Sequence, residues 1–537
     1  MSSRPRLGVV LMAAASLVSA CTFGTSSSDG TVDFGDPGDC ITVDLSVSSE
    51  KIQLMIEMAE DFNSQELEVD GTCIFARPQS KASGLGAQLL ASTWDEEADG
   101  PRPIIWSPAS SAWGSVLNQR LVDQGRAKIV GEGVPFMVTP LVIAMPETMA
   151  TAMGWPDAEI GWSDILNLAT SPDGWSTYGH PEWGEFRLGK TSPNFSTSGL
   201  SALIAQTYAA AGKTENLSLE DLRRPAVIEF GEGVESAVVH YGDTTLTFLN
   251  NWYRADTRGS ALGYVSAAAV EEKSVIDYNR GNPDGVLAAG EVARPPREPL
   301  VAIYPKEGTL YSDNPLFVLD AEWVSDEQKQ AAELFIEFAQ EEANQRKVLE
   351  FGFRPGNPAV ALAEPISPAL GVDPDQPSDL LEVPEPQVMT NLLDLWRTQR
   401  KGAQVTLLLD VSGSMGEIGD PETGDSKLLL AKQAIESSLG EFSSNDQISL
   451  ATFTLDEFTG ATLIEDIVPM ASASTNAERI RSALQVIDAQ SGTPLYEAAL
   501  TAYQQRLDDF DPDRINALVI LSDGVNDDIN PGDDQSQ

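Results

Sequence analysis

The chain has 537 residues, 42% of them hydrophobic and 21% charged. That is too long for one typical domain and apolar enough for large cores, which excludes global disorder. A formal net charge of −47 argues against nucleic acid and anionic lipid surfaces as electrostatic partners, because Lys and Arg carry affinity for phosphate. The two histidines, His180 and His240, leave little scope for imidazole catalysis or a zinc centre.

Residues 1–20 read as a targeting segment. Arg4 and Arg6 form a basic start, Leu7 to Leu17 an apolar run too short to span a bilayer, and Val18-Ser19-Ala20-Cys21 follows directly. That tetrapeptide resembles a bacterial lipobox, which implies cleavage before Cys21 and lipid attachment to it. The alternative is an ordinary signal peptide cut nearby. Residues 21–39, rich in Ser, Gly and Asp, read as a flexible tether. The expected location is the cell membrane, lipid-anchored on its extracytoplasmic face. Cys40 and Cys73 each precede an apolar run. If those runs are neighbouring parallel strands, a disulfide between the two cysteines is plausible in an oxidising compartment; otherwise they are buried thiols.

From Cys40 the pattern alternates strand and helix. Ile41 to Leu45 is a strand, and Ile52, Met55, Ile56, Ala59 and Phe62 recur at helical spacing. Strands follow at Ile74–Ala76, Pro103–Trp106 and Pro140–Pro146, then a second strand–helix set, with Leu300–Pro305 as the expected return strand. The segments S-V-S-S-E-K (46–51), R-P-Q-S-K-A-S-G (77–84), I-I-W-S-P-A-S (104–110), T-S-P-N-F-S-T-S-G (191–199), A-A-E-L-F-I-E-F (331–338) and G-F-R-P (352–355) carry a resemblance. Residues 40–370 resemble a bacterial extracellular solute-binding protein of the two-lobed, periplasmic type, and are most similar to the oxyanion-binding branch. Ser48, Ser49, Ser80, Ser107, Thr197 and Ser198 lie at loop-to-helix entries, where helix N-termini and hydroxyls can hold an oxyanion without a counter-charge. Each is also a plausible helix cap. Lys81 and Lys273 would instead suit a carboxylated ligand. Glu271-Glu272 is adjacent in sequence and reads as a solvated helix start.

Residues 371–401 read as a Pro-rich linker and a docking helix, with Val388, Leu392, Leu395 and Trp396 on one face. From residue 402 the strand–helix pattern resumes. The run Val405 to Leu409 ends in Asp410-Val411-Ser412-Gly413-Ser414; Thr493 stands in G-T-P-L-Y and Asp523 in L-S-D-G. Hard oxygen donors at strand ends suit a hard cation. In that order, these residues resemble the von Willebrand factor type A domain and its metal-ion-dependent adhesion site. The resemblance implies a Rossmann-like α/β domain holding Mg²⁺ (or Mn²⁺ or Ca²⁺). Ser412, Ser414 and Thr493 would be direct ligands, Asp410 and Asp523 would act through water, and a partner protein would supply an acidic side chain. The family's sheet continues beyond L-S-D-G, so residues 402–537 read as a truncated domain, and the sequence as a fragment.

The fold class expected is therefore α/β, a two-lobed periplasmic-binding-protein-like domain followed by an incomplete Rossmann-like domain. No nucleophile–base pair, zinc constellation or phosphate loop stands out, so the expectation is a binding protein rather than an enzyme. One reading is metal-dependent protein binding at the surface, with the first domain as sensor or scaffold. The other is the small-solute-binding subunit of an ABC importer.

Overall fold

The computed structural model describes residues 34–526 apart from Asp243, Val286, 288–291, Glu422, Glu457 and Val525. The targeting segment, Cys21 and most of the tether lie outside the described residues. The described chain divides into two compact units, one through Gln399 and one from Arg400.

The first unit opens with β1 (Ile41–Val47), α1 (Ile52–Asn63), β2 (Thr72–Ser80), α2 (Ser83–Ala91), β3 (Ile105–Ser107) and α3 (Ala112–Asp123). β1 pairs in parallel with β2 and β3. Parallel strands joined by helices are covered on both faces, which explains the nearly continuous burial of Val43 to Val47. The spacing of Ile52, Met55, Ile56, Ala59 and Phe62 puts them on the buried face of α1. Cys40 and Cys73 are joined by a disulfide. They directly precede Ile41 and Ile74, which face each other in the parallel register. The bridge closes a loop across a sequence separation of 33, so its reduction should cost about 3–4 kcal/mol. Urea unfolding of the first unit with and without reductant checks this.

β4 (Met137–Pro146) leaves this lobe and enters a second sheet. That lobe is built from β5 (Leu188–Thr191), α4 (Thr197–Ala211), α5 (Pro225–Ser236), β6 (Val238–Gly242), β7 (Ala267–Glu271), α6 (Glu272–Arg280) and β8 (Leu300–Ile303), in the order β8-β4-β7-β5-β6. The expected return strand, Leu300–Pro305, does not return: Leu300 to Ile303 pair antiparallel with β4 in the second sheet. The chain comes back through β9 (Pro315–Val318), which adds antiparallel to β3. α7 (Asp326–Ala339) then packs on the first lobe, with Phe335 and Phe338 edge-on to Phe62 at 5.1 and 5.5 Å.

Residues 371–385 are not a free linker. Gly371 O accepts from Ala302 N–H at 2.8 Å, Asp379 O from Thr309 N–H at 3.1 Å, and Leu381 N–H donates to Thr309 O at 2.8 Å. The helix expected to dock, α8 (Pro386–Gln399), follows them. Its apolar face, Val388, Met389, Leu392, Leu393 and Trp396, is buried in the core of the first unit.

The second unit contains β10 (Ala403–Asp410), α9 (Lys427–Ser438), β11 (Gln447–Leu455), β12 (Thr462–Ser472), α10 (Ala473–Leu484), α11 (Leu495–Asp508) and β13 (Ile515–Leu521). The strand order is β12-β11-β10-β13. The apolar run of β10 follows from its central place. Val405, Leu407 and Leu409 face one core with Leu428, Ile435 and Ile480. Leu408 faces the other, with Phe453, Ala498 and Ala502. Among the described residues β13 is an edge strand, paired only with β10. No helix among the described residues is long and apolar enough to cross a membrane.

Candidate functional site

Two sites are built at the carboxyl ends of parallel strands, where open α/β sheets place their ligands. In the first unit a small cavity of about 20 Å³ lies between the lobes, room for roughly one water-sized particle. It is lined from the first lobe by Ser49, Glu50 and Ser83, and from the second by Ser196, Thr197, Ser198, Thr244, Thr245 and Glu271. The lobes meet directly. Trp113 Nε1–H donates to Thr197 Oγ1 at 2.9 Å, Thr197 Oγ1–H to Ser83 Oγ at 3.2 Å, and Gly84 N–H to Phe195 O at 2.9 Å. A Cβ on Gly84 would lie 2.0 Å from Asn194 O, so only glycine permits this approach.

Of the six cleft residues expected from sequence, the structure brings Ser49, Thr197 and Ser198 to the cavity. The others do not line it. Ser48 Oγ donates to Glu50 Oε1 and Ser107 Oγ to Pro315 O, while Ser80 ends β2 opposite Val47. Lys81 and Lys273 are engaged elsewhere, by Asp99 at 3.1 Å and by Asp277 respectively. Lys51 is buried and donates to Pro108 O and Asn314 Oδ1, and burial pulls its pKa down to about 7. Among the described residues, no Lys, Arg or His lines the cavity.

Glu271-Glu272 is not a solvated helix start. β7 ends inside the molecule, so both carboxyls are buried. Glu272 pairs with Arg354 at 2.6 Å and accepts from Tyr304. Glu271 accepts from Ser198 and faces the cavity. Burial first, and the Glu50 carboxylate second, push its pKa up to about 7. Sequence reasoning missed Glu50, Ser83, Ser196, Thr244, Thr245 and Glu271. A usable signal existed for some of them, since Glu50 follows Ser49 in the same turn and Thr244-Thr245 stands two residues past β6.

In the second unit, β10 ends at Asp410, which is fully buried. Its Oδ1 accepts Ser412 N–H at 2.8 Å and its Oδ2 accepts Ser522 Oγ–H at 2.7 Å. Burial raises the Asp410 carboxyl, and these hydrogen bonds pull it back down. The hydroxyls of Ser412 and Ser414 lie 3.1 Å apart. Gly413 N–H donates to Ser491 O and Gln490 N–H to Val411 O, which fastens this turn to the loop leading to buried Thr493. Asp523 follows Ser522 at the end of β13, on the neighbouring strand. Its Oδ2 accepts from Lys427 Nζ at 3.0 Å. Its Oδ1 is buried and has no hydrogen-bond partner. Lys427 and Ser522 were not picked out from sequence; both act through residues that were.

A family model described as bacterial extracellular solute-binding protein matches residues 43–354, and one described as von Willebrand factor type A domain matches residues 405–526. An uncharacterized protein of Mycobacterium tuberculosis (strain H37Rv) is 23% identical over 474 residues, covering 87% of this chain. The chain spans 64% of that relative's length. Among solved structures, the periplasmic binding protein AfuA from Actinobacillus pleuropneumoniae, with fructose-6-phosphate bound, is similar with a TM-score of 0.43 at 13% identity, covering 67% of this chain and 98% of its own. The sulfate-binding protein SubI from Mycobacterium tuberculosis gives 0.37 at 18% identity, covering 59% and 88%. With more than half of its residues matched by the first model, the chain belongs to the bacterial extracellular solute-binding protein family and carries a von Willebrand factor type A domain behind it.

Proposed function

We propose that the second unit binds a protein partner through a divalent metal ion, with the first unit as solute sensor or scaffold. One observation carries this reading: Asp523 Oδ1 is buried without a hydrogen-bond partner, at the strand end beside Asp410 and the hydroxyls of Ser412 and Ser414. A buried carboxylate oxygen left unpaired is costly, and a hard cation would satisfy it. Ser412, Ser414 and Thr493 would hold Mg²⁺, with Mn²⁺ or Ca²⁺ as substitutes, while Asp410 and Asp523 supply the negative charge. The bound ion would offer a Lewis-acid position to an acidic side chain of the partner. Asp410 keeps Ser412 oriented through the Oδ1 bond and ties β13 to the site through Ser522. A pull-down from the producing organism's surface fraction, with Mg²⁺ or with EDTA, tests the reading: partner recovery should require the metal, and equal recovery in EDTA would sink it.

The closed cavity supports a second reading, small-solute capture for an importer. Its two carboxylates and ring of hydroxyls favour a cationic or hydrogen-bond-donating group over the expected oxyanion, which would enter against Glu50 and Glu271. Glu271 also makes a pH prediction. Its folded pKa, about 7, lies above the ordinary 4.5. The folded state therefore holds a proton that the unfolded state releases between those values, and stability falls as pH rises through that window. Glu271→Gln cannot ionise and should remove a loss of about 3 kcal/mol between pH 4.5 and 7. Urea unfolding at pH 5 and pH 8 checks this; an unchanged difference between the two pH values would count against it.

A further inference from the structure

We infer that α8 is an internal strap that holds the two lobes of the solute-binding unit closed, so that the cleft is latched by the chain itself. α8 packs on α3 of the first lobe and on α4 and α5 of the second. On the second lobe, Trp396 stands edge-on to Tyr241 of β6 with ring centroids 5.7 Å apart. Gln399 Nε2–H donates to Ile228 O of α5 at 3.3 Å. The Gln399 amide lies 2.8 Å from where a Cβ on Gly231 would be, so the end of α8 sits close against α5. On the first lobe, burial lowers the pKa of Arg120 in α3, and the Asp394 carboxylate of α8 partly opposes that shift.

The helices that α8 bridges are the ones that close the cleft. Trp113 in the first turn of α3 donates to Thr197, the first residue of α4. Opening the lobes must break that bond and must also strip α8 from α3 or from α4 and α5. The first loss is small, because water can replace a hydrogen bond. The second exposes Val388, Met389, Leu392, Leu393 and Trp396, all buried now, and apolar exposure has no such compensation. The strap therefore sets the closed state largely independently of ligand. Only Arg400, Lys401 and Gly402 separate α8 from β10, so the strap is also the chain's path into the metal-site domain.

The test is single-molecule energy transfer on the full chain, with dyes on cysteines placed at exposed Glu57 and Glu215, one on each lobe, and no solute added. The native background should give one closed population. Trp396→Ala with Leu392→Ala should raise the open population at least about tenfold. Asp394→Lys, which sets like charge against Arg120 on a surface that still folds, should shift it in the same direction. A native chain already populating the open state, or an Asp394→Lys chain with an unchanged closed population, would overturn the strap.

Discussion

If the second unit holds Mg²⁺ as proposed, Asp410→Asn should abolish the stabilisation that the ion gives while leaving the first unit's unfolding unchanged. Asparagine keeps the size of the side chain and an acceptor for Ser412 N–H, so the turn at Gly413 is retained. What it removes is the charge. An ion that binds only the folded state stabilises by about 2.7 kcal/mol at 100 times its Kd, and that increment should vanish in the variant. Asp410→Ala should lose it as well, and should also unfold more easily, because Ser412 N–H and Ser522 Oγ–H lose their acceptor in a fully buried position. Partner capture should fall with the metal in both variants. Differential scanning calorimetry with Mg²⁺ and with EDTA checks these effects.

The second large effect lies in the other unit and has nothing to do with metal. Lys190 and Glu235 form an ion pair buried on both sides, with Gln206 Oε1 accepting from Lys190 at 3.1 Å and Tyr241 OH donating to Glu235. Glu235→Leu leaves an ammonium in the core without its partner and should cost about 3–5 kcal/mol. Adding Lys190→Met should recover most of that loss, because two well-packed apolar side chains need no solvation. Urea unfolding of the single and double variants checks this. A double variant no more stable than Glu235→Leu alone would mean that the loss comes from packing, not from the stranded charge. Tyr241 joins this cluster to Trp396 of α8, so both variants also report on how firmly α8 is seated.

Much of the fold was legible because its strands are short apolar runs bounded by Gly, Ser and Pro, and its helices keep a 3.6-residue spacing. The apolar run Val405 to Leu409 reads as a buried parallel strand, and it is one, with Leu408 facing a different core from Leu407 and Leu409. What could not be read was long-range. Leu300 to Ile303 has the pattern of any buried strand; which lobe it joins is decided by pairing with β4, more than 150 residues earlier. The same holds for α8, whose amphipathic face was plain but whose seat was not. A stripe such as Val388, Leu392 and Trp396 shows that a helix is covered and not by what.

Legibility of the sites divides along the same line. Asp410, Ser412 and Ser414 lie within five residues, so spacing alone gathers them, and Asp523 lies two residues past the end of the adjacent strand. In the cleft, helix-entry hydroxyls look alike in sequence. Ser107 and Ser49 both follow an apolar strand run in sequence, but the first ends β3 and satisfies Pro315 O in the core while the second lines the cavity. Glu271 was misread because a charged pair at a helix start is usually solvated; here the helix start is buried between lobes.

The most direct test of metal-dependent binding is titration calorimetry of Mg²⁺ into the full chain, run beside Asp410→Asn. The site described at β10 and β13 predicts saturable binding in the native chain that is lost in the variant. Equal titration of the two proteins, or no uptake by the native chain, would contradict it.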